Sequence, residues 1–252
     1  MKENNGKFTN LILSVLPIAV ILLVWQVGAM AVSSEYILPD LGETLLGVVS
    51  VFGQKIFYTA LLGTLLRTVI AFAISFILAF FLAFLSRVYK SADIMIAPVI
   101  SVLRALPTIA VVLILLTWTN SNVASVVVTS LVVLPTAYSS LRDALFGVDD
   151  DFVRVLKLYG VSQKELLKKV YLPNILPNAL LAIGSGLSLN LKLMVAAEVI
   201  AATANSLGYM LNSSKWNLET ANMIAIVVVT VVIGLLVEWA FTTLSKKVGE
   251  WQ

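Results

Sequence analysis

The sequence predicts an all-α integral membrane protein with six transmembrane helices and with both termini in the cytoplasm (N-in/C-in). Three observations support this fold class. The 252-residue chain is 60% hydrophobic and 12% charged, with a mean hydropathy of +0.98, whereas a soluble domain carries about twice that charged fraction. The apolar residues form runs long enough to cross a bilayer, which takes about 20 residues. Lysine and arginine fall mostly between alternate runs.

The predicted spans are residues 11–32, 56–86, a third that begins near Ala97 with Pro107 inside it, 123–141 with Pro135 inside it, 177–202 and 222–244. The first run is uncharged and longer than the core of a secretory signal, about 7–15 residues, so it is expected to remain as an uncleaved helix. Residues 105–141 carry no charge. A single helix of that length would measure about 55 Å, far more than the ~30 Å hydrocarbon core. The stretch TNSN at 119–122 is therefore predicted to separate two spans.

Lysine and arginine predict the orientation, because cytoplasmic loops are enriched in both. With the N-terminus inside, Lys55 and Lys215 lie in external loops, while Arg67, Arg104 and Lys192 lie at membrane depth. The other cations lie in cytoplasmic segments: Lys2, Lys7, Arg87, Lys90, Arg142, Arg154, Lys157, Lys164, Lys168, Lys169, Lys246 and Lys247. The chain is thus predicted to be one transmembrane domain, 1–252, with both termini in the cytoplasm.

Several kinds of chemistry are excluded by composition. The chain has no Cys and no His, which excludes disulfides, thiol nucleophiles, Cys/His zinc centres and histidine acid–base catalysis. It also lacks the G-x-x-x-x-G-K phosphate-binding loop. ATP hydrolysis by this chain is therefore not expected. We also expect no cofactor bound to the chain and no nucleic-acid partner.

The longest predicted cytoplasmic loop, at about 142–176, begins with the pattern of a short amphipathic helix. Four apolar residues follow the i, i+3, i+4, i+7 spacing of one face: Phe152, Val155, Leu156 and Tyr159. Arg154 and Lys157 lie off that face. Three acidic residues stand at the start, where they suit the helix dipole: Asp149, Asp150 and Asp151. Gly160 follows the last periodic residue, a common place for a left-handed cap.

A second amphipathic helix is predicted after the glycine. Ser162 and Glu165 have the spacing of a capping box, and Val161 and Leu166 that of the accompanying hydrophobic staple. The apolar face continues through Leu166, Leu167, Val170 and Tyr171. The lysines of the other face suit anionic lipid headgroups: Lys164, Lys168 and Lys169. The proline pair of this segment, Pro173 and Pro177, is predicted to end the helix and return the chain to the bilayer.

These features resemble the permease subunits of bacterial binding-protein-dependent ABC importers, most closely the branch with nitrate, sulfonate, taurine and bicarbonate permeases. The similar stretches are YILPDLGETL at 36–45, VLRALPTIAVVLIL at 102–115 and VAAEVIAATANSLGYML at 195–211. The family's cytoplasmic loop carries a Glu-Ala-Ala triplet, a Gly four residues after it and an apolar-x-Leu-Pro ending. Gly160 matches that Gly and VYLP at 170–173 the ending, but Arg154-Val155-Leu156 replaces the triplet.

The resemblance implies a type I ABC importer transmembrane domain in a bacterial cytoplasmic membrane. Two such subunits, here with a second copy of this chain as partner, would face each other over two ATPase subunits that bind ATP and Mg, and an external substrate-binding protein would dock outside. The residues implied to contact the ATPase are Asp150, Asp151, Phe152, Arg154, Val155, Lys157, Leu158, Tyr159, Gly160 and Val161. Because Arg154 replaces the family's Glu, the charge pair formed there is left open.

Polar residues and one proline at membrane depth are candidates for the translocation pathway: Arg104, Pro107, Asn190, Lys192 and Glu198. A charge that faces lipid costs a few kcal/mol, so each charged residue should be paired or face a wet interior. Lys192 and Glu198 are about 600° of helical rotation apart and do not share a face. An interhelical pair of Arg104 with Glu198 and a pathway role are both open, and Asn190 could line a pore or bond across helices. Arg67 and Glu238 are expected to snorkel or pair near span ends.

The two cations Arg104 and Lys192 favour a small solute that is anionic or carries an anionic group. A secondary transporter that uses the intramembrane charges is the alternative function, although six spans without a visible repeat are few for that class. A membrane-embedded enzyme is a further alternative. The lack of His and Cys and of clustered carboxylates argues against it.

Overall fold

The computed structural model describes residues 2–148 and 150–249, and every regular element within them is helical. The helices are α1 (Lys2–Val32), α2 (Leu41–Gly53), α3 (Lys55–Val88), α4 (Lys90–Ala105), α5 (Thr108–Trp118), α6 (Ser121–Phe146), α7 (Asp150–Leu158), α8 (Gln163–Leu166), α9 (Leu172–Ala201), α10 (Leu207–Trp216) and α11 (Thr220–Gly249). A π-helical turn, Leu167–Tyr171, joins α8 to α9. The predicted all-α class is confirmed.

Within the described residues, four helices are long and apolar enough to cross a membrane: Lys55–Val88, Ser121–Phe146, Ile175–Ala201 and Thr220–Val248. The helices α4 and α5 pass the same test as a pair that is bent by 91°. Shorter apolar helices are Leu16–Val32 and Leu41–Gly53. The described residues therefore contain four spans, or five if the bent pair crosses the membrane, where the sequence predicts six.

The predicted third span corresponds to two helices instead of one. α4 begins at Lys90, ends at Ala105, and is followed by Leu106 and Pro107 in extended conformation before α5. Proline lacks a backbone N–H and disfavours helical geometry in the residue before it. This effect accounts for Leu106 at φ −65° and ψ 126°. Pro107 therefore separates α4 from α5 and does not lie inside a continuous helix.

The break at 119–122 lies where the sequence predicts it. α5 ends at Trp118, and Asn120 caps α6 by accepting a hydrogen bond from the N–H of Val123 at 3.0 Å. Asparagine is a preferred residue at this position because its side chain satisfies a free N–H of the first turn. α6 then continues through Pro135.

The prediction that Pro173 and Pro177 end the second loop helix is wrong, because the backbone is helical without interruption from Gln163 to Ala201. Pro173 lies in the first turn of α9, where proline is tolerated. In a regular α-helix its ring would meet the carbonyl of Lys169, four residues earlier. Lys169 lies in the π-helical turn, whose wider geometry relieves that conflict.

The chain forms two compact units. One comprises Met1–Tyr58 with Met210–Val229, and the other Thr59–Tyr209 with Thr230–Gln252. In the first unit, the side chain of Asp40 accepts from the N–H of Glu43 at 2.8 Å and caps α2. In the second, α6 packs against α4, α5 and α9. The candidate functional residues predicted from the sequence all lie in this second unit.

Candidate functional site

The loop at 142–176 contains the predicted glycine turn. Gly160 has a φ of +79°, a left-handed conformation that glycine adopts with little strain. Its N–H donates to the carbonyl of Lys157 at 3.0 Å, and the N–H of Val161 donates to the carbonyl of Leu156 at 3.1 Å. These are the two hydrogen bonds of a Schellman motif. They end α7 and set the direction in which the chain enters α8.

The predicted capping box of α8 is also present. The N–H of Glu165 donates to Ser162 Oγ, and the N–H of Ser162 donates to Glu165 Oε2, both at 3.3 Å. The backbone N–H of Ser162, the Lys169 ammonium at 3.3 Å and the Ser162 hydroxyl all lower the pKa of Glu165. The carboxylate is therefore ionised at neutral pH, and the cap persists.

One side of α7 is buried within the loop. Val153, which is 3% exposed, and Leu156 pack into a cluster with other loop residues: Val148, Val161, Leu166, Val170 and Tyr171. The remaining apolar side chains of this segment are exposed: Phe152, Val155, Leu158 and Tyr159. Leu158 and Tyr159 are 87% and 83% exposed. Of the four apolar residues predicted to share one face of α7, only Leu156 packs into this cluster.

The charges of α7 lie on its exposed sides. Arg154 Nη1 contacts Asp151 Oδ1 at 3.1 Å, and both side chains are mostly exposed. Such pairs contribute about 0–1 kcal/mol, so Arg154 could exchange this partner for another at little cost. Lys157 is exposed as well. Asp149 lies outside the described residues, and of Asp150 only the backbone is described.

A fully buried carboxylate, that of Glu198 on α9, lies at the centre of a polar network. Its Oε1 accepts from Arg67 Nε at 2.8 Å. Its Oε2 accepts from Thr64 Oγ1 at 2.8 Å and from the N–H of Gly208 at 3.4 Å. Hydrogen bonds to an ionised acceptor are roughly twice as strong as neutral ones. We call this set of groups the Glu198 network. Its members are Glu198, Arg67, Thr64 and Gly208, together with Asn122 and Asn205, which bind Arg67.

Arg67 extends the network to two further segments. Its Nη1 donates to Asn122 Oδ1 at 3.1 Å, at the start of α6. Its Nη2 donates to the carbonyl of Asn205 at 3.0 Å, in the turn between α9 and α10. Gly63 is required beside it, because a Cβ there would lie 2.4 Å from that carbonyl oxygen. The network therefore joins α3, α6, α9 and the turn that follows α9.

The suggested pair of Arg104 with Glu198 is wrong. Glu198 binds Arg67, and Arg104 donates to Ser139 Oγ and to the carbonyl of Pro135 at 3.5 Å, both on α6. Arg67 was expected either to snorkel or to pair, and it pairs with Glu198. Its partner is 131 residues away along the chain, so neither periodicity nor local spacing could have identified it.

Asn190 makes an interhelical contact. Its side chain is fully buried, and its Nδ2 donates to the carbonyl of Thr68 on α3 at 2.7 Å. Of the two roles left open by the sequence, the structure shows the bond across helices. Asn190 therefore belongs to the packing of α9 against α3.

Lys192 lies on an exposed stripe of α9. The residues of this α9 stripe are spaced by three or four positions, as one helical face requires: Asn178, Leu181, Ser185, Leu189, Lys192 and Ala196. None of the ion pairs within residues 2–148 and 150–249 includes Lys192. A lysine in the middle of a membrane helix is too costly to face lipid. The stripe is therefore expected to face a wet or protein-lined space.

Part of the α9 stripe borders a groove of about 400 Å³ between α6 and α9. The groove is lined by Ser140, Asp143, Ala144, Asn178, Leu181, Ala182 and Ser185. Several of these side chains are polar, which suits a hydrated surface and does not suit a lipid-facing one. The groove and Lys192 therefore lie along one polar side of α9.

The second unit thus combines apolar helices long enough to cross a membrane, a polar side of α9 and a loop helix with an exposed apolar surface. The chain belongs to the family of binding-protein-dependent transport system inner membrane components, which residues 75–250 match. It is therefore the permease subunit of an ABC importer and a transport component, not an enzyme. Membership of this family decides against the two alternatives, a secondary transporter and a membrane-embedded enzyme.

Two relatives support this assignment. The chain is 26% identical over 240 residues to the putative aliphatic sulfonates transport permease protein SsuC of Bacillus subtilis (strain 168), covering 93% of this chain and 85% of that one. It is 29% identical over 156 residues to the taurine transport system permease protein TauC of Escherichia coli (strain K12), covering 61% of this chain and 56% of that one.

Solved structures share the fold. An inward-facing form of the MetNI methionine ABC transporter matches with a TM-score of 0.63 at 17% identity, over 75% of this chain and 94% of that one. An amino acid ABC transporter solved with histidines matches with a TM-score of 0.61 at 18% identity, over 78% and 94%.

Removing Arg67 should destabilise the protein more than removing both charges of the pair. Arg67→Met leaves the Glu198 carboxylate buried without its cation, a change that costs about 3–5 kcal/mol in buried pairs. The double variant Arg67→Met/Glu198→Gln leaves no buried charge and should recover most of the loss. Thermal unfolding of the detergent-purified protein measures both. A double variant no more stable than Arg67→Met alone would contradict this account of the network.

Proposed function

We propose that this chain forms half of the translocation pathway of an ABC importer in a bacterial cytoplasmic membrane and carries a small solute with an anionic group, such as an aliphatic sulfonate or taurine. Its partners are a second copy of the chain, two ATPase subunits that hold ATP and Mg, and an extracytoplasmic binding protein. The names of its two relatives support the solute class.

Lys192 is the observation that carries the choice of solute. It is an exposed cation in the middle of α9, on a stripe that is otherwise uncharged. A sulfonate is ionised at every physiological pH, so it would supply the missing counter-charge. Opposite charges attract more strongly where water is scarce. Arg104 adds a second cation whose acceptors, a hydroxyl and a carbonyl, do not neutralise it.

The exposed side of α7 is suited to an ATPase partner. Phe152, Val155, Leu158 and Tyr159 present apolar surface, while Arg154 and Lys157 place charges beside it. The opposite side of α7 is buried in the loop's own cluster. Because α7 is packed against the loop cluster on one side and exposes apolar surface on the other, a partner bound to the exposed side could displace the cluster with it. α7 would therefore act as the coupling helix.

The proposed orientation places both termini in the cytoplasm, with α1 and the bent pair α4 and α5 completing six spans. α1 contains 31 residues, enough to cross a bilayer. The cation distribution supports this orientation.

Because the chain has no Cys, single introduced cysteines can test this orientation. Those at Lys55 and Lys215 should react with an impermeant reagent in intact cells, and one at Lys164 should react only after lysis; the reverse pattern contradicts the orientation.

Gly160→Val should impair coupling, because it forces a β-branched residue into a left-handed conformation at a cost of about 1–3 kcal/mol. ATP-driven uptake by the reconstituted complex should fall, while the chain still inserts into the membrane. Gly53→Val is the matched control. A Cβ meets nothing within 4 Å at either position, and only Gly160 has a positive φ. Equal uptake by the two variants would contradict the role of the turn.

Lys192→Met should reduce uptake of taurine or an aliphatic sulfonate roughly tenfold or more, the effect of about 1.4 kcal/mol lost to the moving solute. Uptake is measured in vesicles that contain the permease, its ATPase and the loaded binding protein. Leu189→Met, on the same stripe but without a charge, is the control. Adding Glu198→Gln to Lys192→Met should not restore uptake, since Glu198 binds Arg67. Recovery in that double variant, or a neutral native solute, would contradict the proposal.

A further inference from the structure

A bidentate ion pair joins the beginning of α4 to the end of α6. Arg142 Nε and Nη2 donate to Asp93 Oδ1 and Oδ2, both at 2.7 Å. Asp93 lies in the first turn of α4, and Arg142 lies one turn before the end of α6. A planar guanidinium that meets a carboxylate through two bonds fixes the relative orientation of the two groups. The pair therefore resists rotation of one helix against the other at this point.

The surroundings of the pair strengthen the same junction. The guanidinium of Arg142 lies 4.4 Å from the centroid of the Phe146 ring, and that of Arg87 lies 5.3 Å from it, both within the range of cation–π attraction. Ser86 Oγ and Tyr138 OH share a buried hydrogen bond of 2.8 Å. The corner between α3 and α4 is thus held against the last turns of α6.

A second attachment lies near the other end of α4. Arg104, in its last turn, donates to Ser139 Oγ and the Pro135 carbonyl of α6. Asp93 and Arg104 are separated by about 16 Å of helix rise. Between them, Ile100 is buried in a cluster with residues of α6: Leu134, Ala137, Tyr138, Leu141 and Leu145. α4 cannot slide along α6 without breaking both attachments.

The end of α6 that holds Arg142 leads directly into the loop that contains α7. Val148, just beyond α6, is buried in one cluster with Val153 of α7 and with Leu166 and Val170. A displacement of α7 would therefore move the end of α6 with it. Through the Asp93–Arg142 pair, the same displacement would reach α4 and Arg104.

We propose that Asp93 and Arg142 are positioning residues for energy coupling. They bind α4 to the end of α6 that carries α7, and they thereby set the position of Arg104 when the ATPase moves α7. This inference rests on the proposed function, in which α7 contacts the ATPase and Arg104 faces the solute. Neither residue touches the solute. The predicted signature is a lower number of solute molecules transported per ATP hydrolysed, without loss of the complex.

The test compares uptake with ATP hydrolysis in vesicles that contain the whole complex and its loaded binding protein. Asp93→Asn and Arg142→Gln should assemble and hydrolyse ATP, but the uptake per ATP should fall about fivefold or more, the low end of typical couplings between sites. The exchanged pair Asp93→Arg/Arg142→Asp should recover most of the ratio. Lys90→Met, which removes an exposed cation at the start of α4 but leaves the Asp93–Arg142 pair in place, is the control and should keep the wild-type ratio.

Three outcomes would overturn the inference: an unchanged ratio in both neutral variants, uptake and hydrolysis that fall in proportion, or no recovery in the exchanged pair. If the neutral variants fail to assemble, Arg142→Lys decides. It keeps the charge but replaces the two-pronged contact with a point charge, so it should assemble with a lowered ratio, and a wild-type ratio overturns the inference. Failure of the proposed function is a separate result, because the wild-type complex itself would then show no ATP-driven uptake.

Discussion

The buried carboxylate of Glu198 determines how α3, α9 and the start of α10 can pack together. An ionised carboxylate without water must be paired and hydrogen-bonded, and the donors to Glu198 come from α3 and from the start of α10. This requirement fixes the rotation of α9. Because Lys192 lies about 600° of helical rotation before Glu198, turning Glu198 inward leaves Lys192 outward. The polar stripe that suits a solute is therefore a consequence of the buried pair.

The same helix contains two kinds of polar residue with opposite structural roles. Asn190 and Glu198 are fully buried and hold α9 to α3. Lys192 and Ser185 are exposed on the α9 stripe. The start of α10 can pack closely against α9 because Gly208 has no side chain. A Cβ at Gly208 would lie 2.5 Å from the Cβ of Glu198. A helix that is held in place and has one polar side suits the proposed pathway, since solute-facing groups must keep their positions while the solute passes.

Features that depend on neighbouring residues could be predicted from the sequence. The glycine turn at Gly160, the Ser162–Glu165 capping box and the break capped by Asn120 each arise from interactions within a few residues. The count of six spans rests on the lengths of the apolar runs, the positions of the charges and the polar break at 119–122, and the described residues contain four or five candidate spans. Two short helices, α2 and α10, fall in segments that hydropathy assigns to external loops.

Features that depend on distant contacts could not be predicted in this way. Arg67 and Glu198 come from separate spans, so the pattern around each one suggests several possible partners. The side of α7 that is buried could not be identified from that helix alone, because Val153 and Leu156 cluster with Val148 and Val161, which lie outside it. The helical path through Pro173 depends on a π-helical turn that no propensity rule specifies. In each case tertiary packing selects among conformations that the local sequence allows.

Thiol labelling along α9 tests most directly whether the α9 stripe faces the path of the solute, as proposed. Single cysteines at Leu189 and Ala196, on the stripe, are compared with one at Met194, which is buried. In the working complex the two stripe positions should react with a hydrophilic reagent, Met194 should not, and loaded binding protein with ATP should change the rate only on the stripe. Stripe cysteines that react only with a lipid-soluble reagent would show that this side of α9 faces the bilayer, and that result would contradict the account.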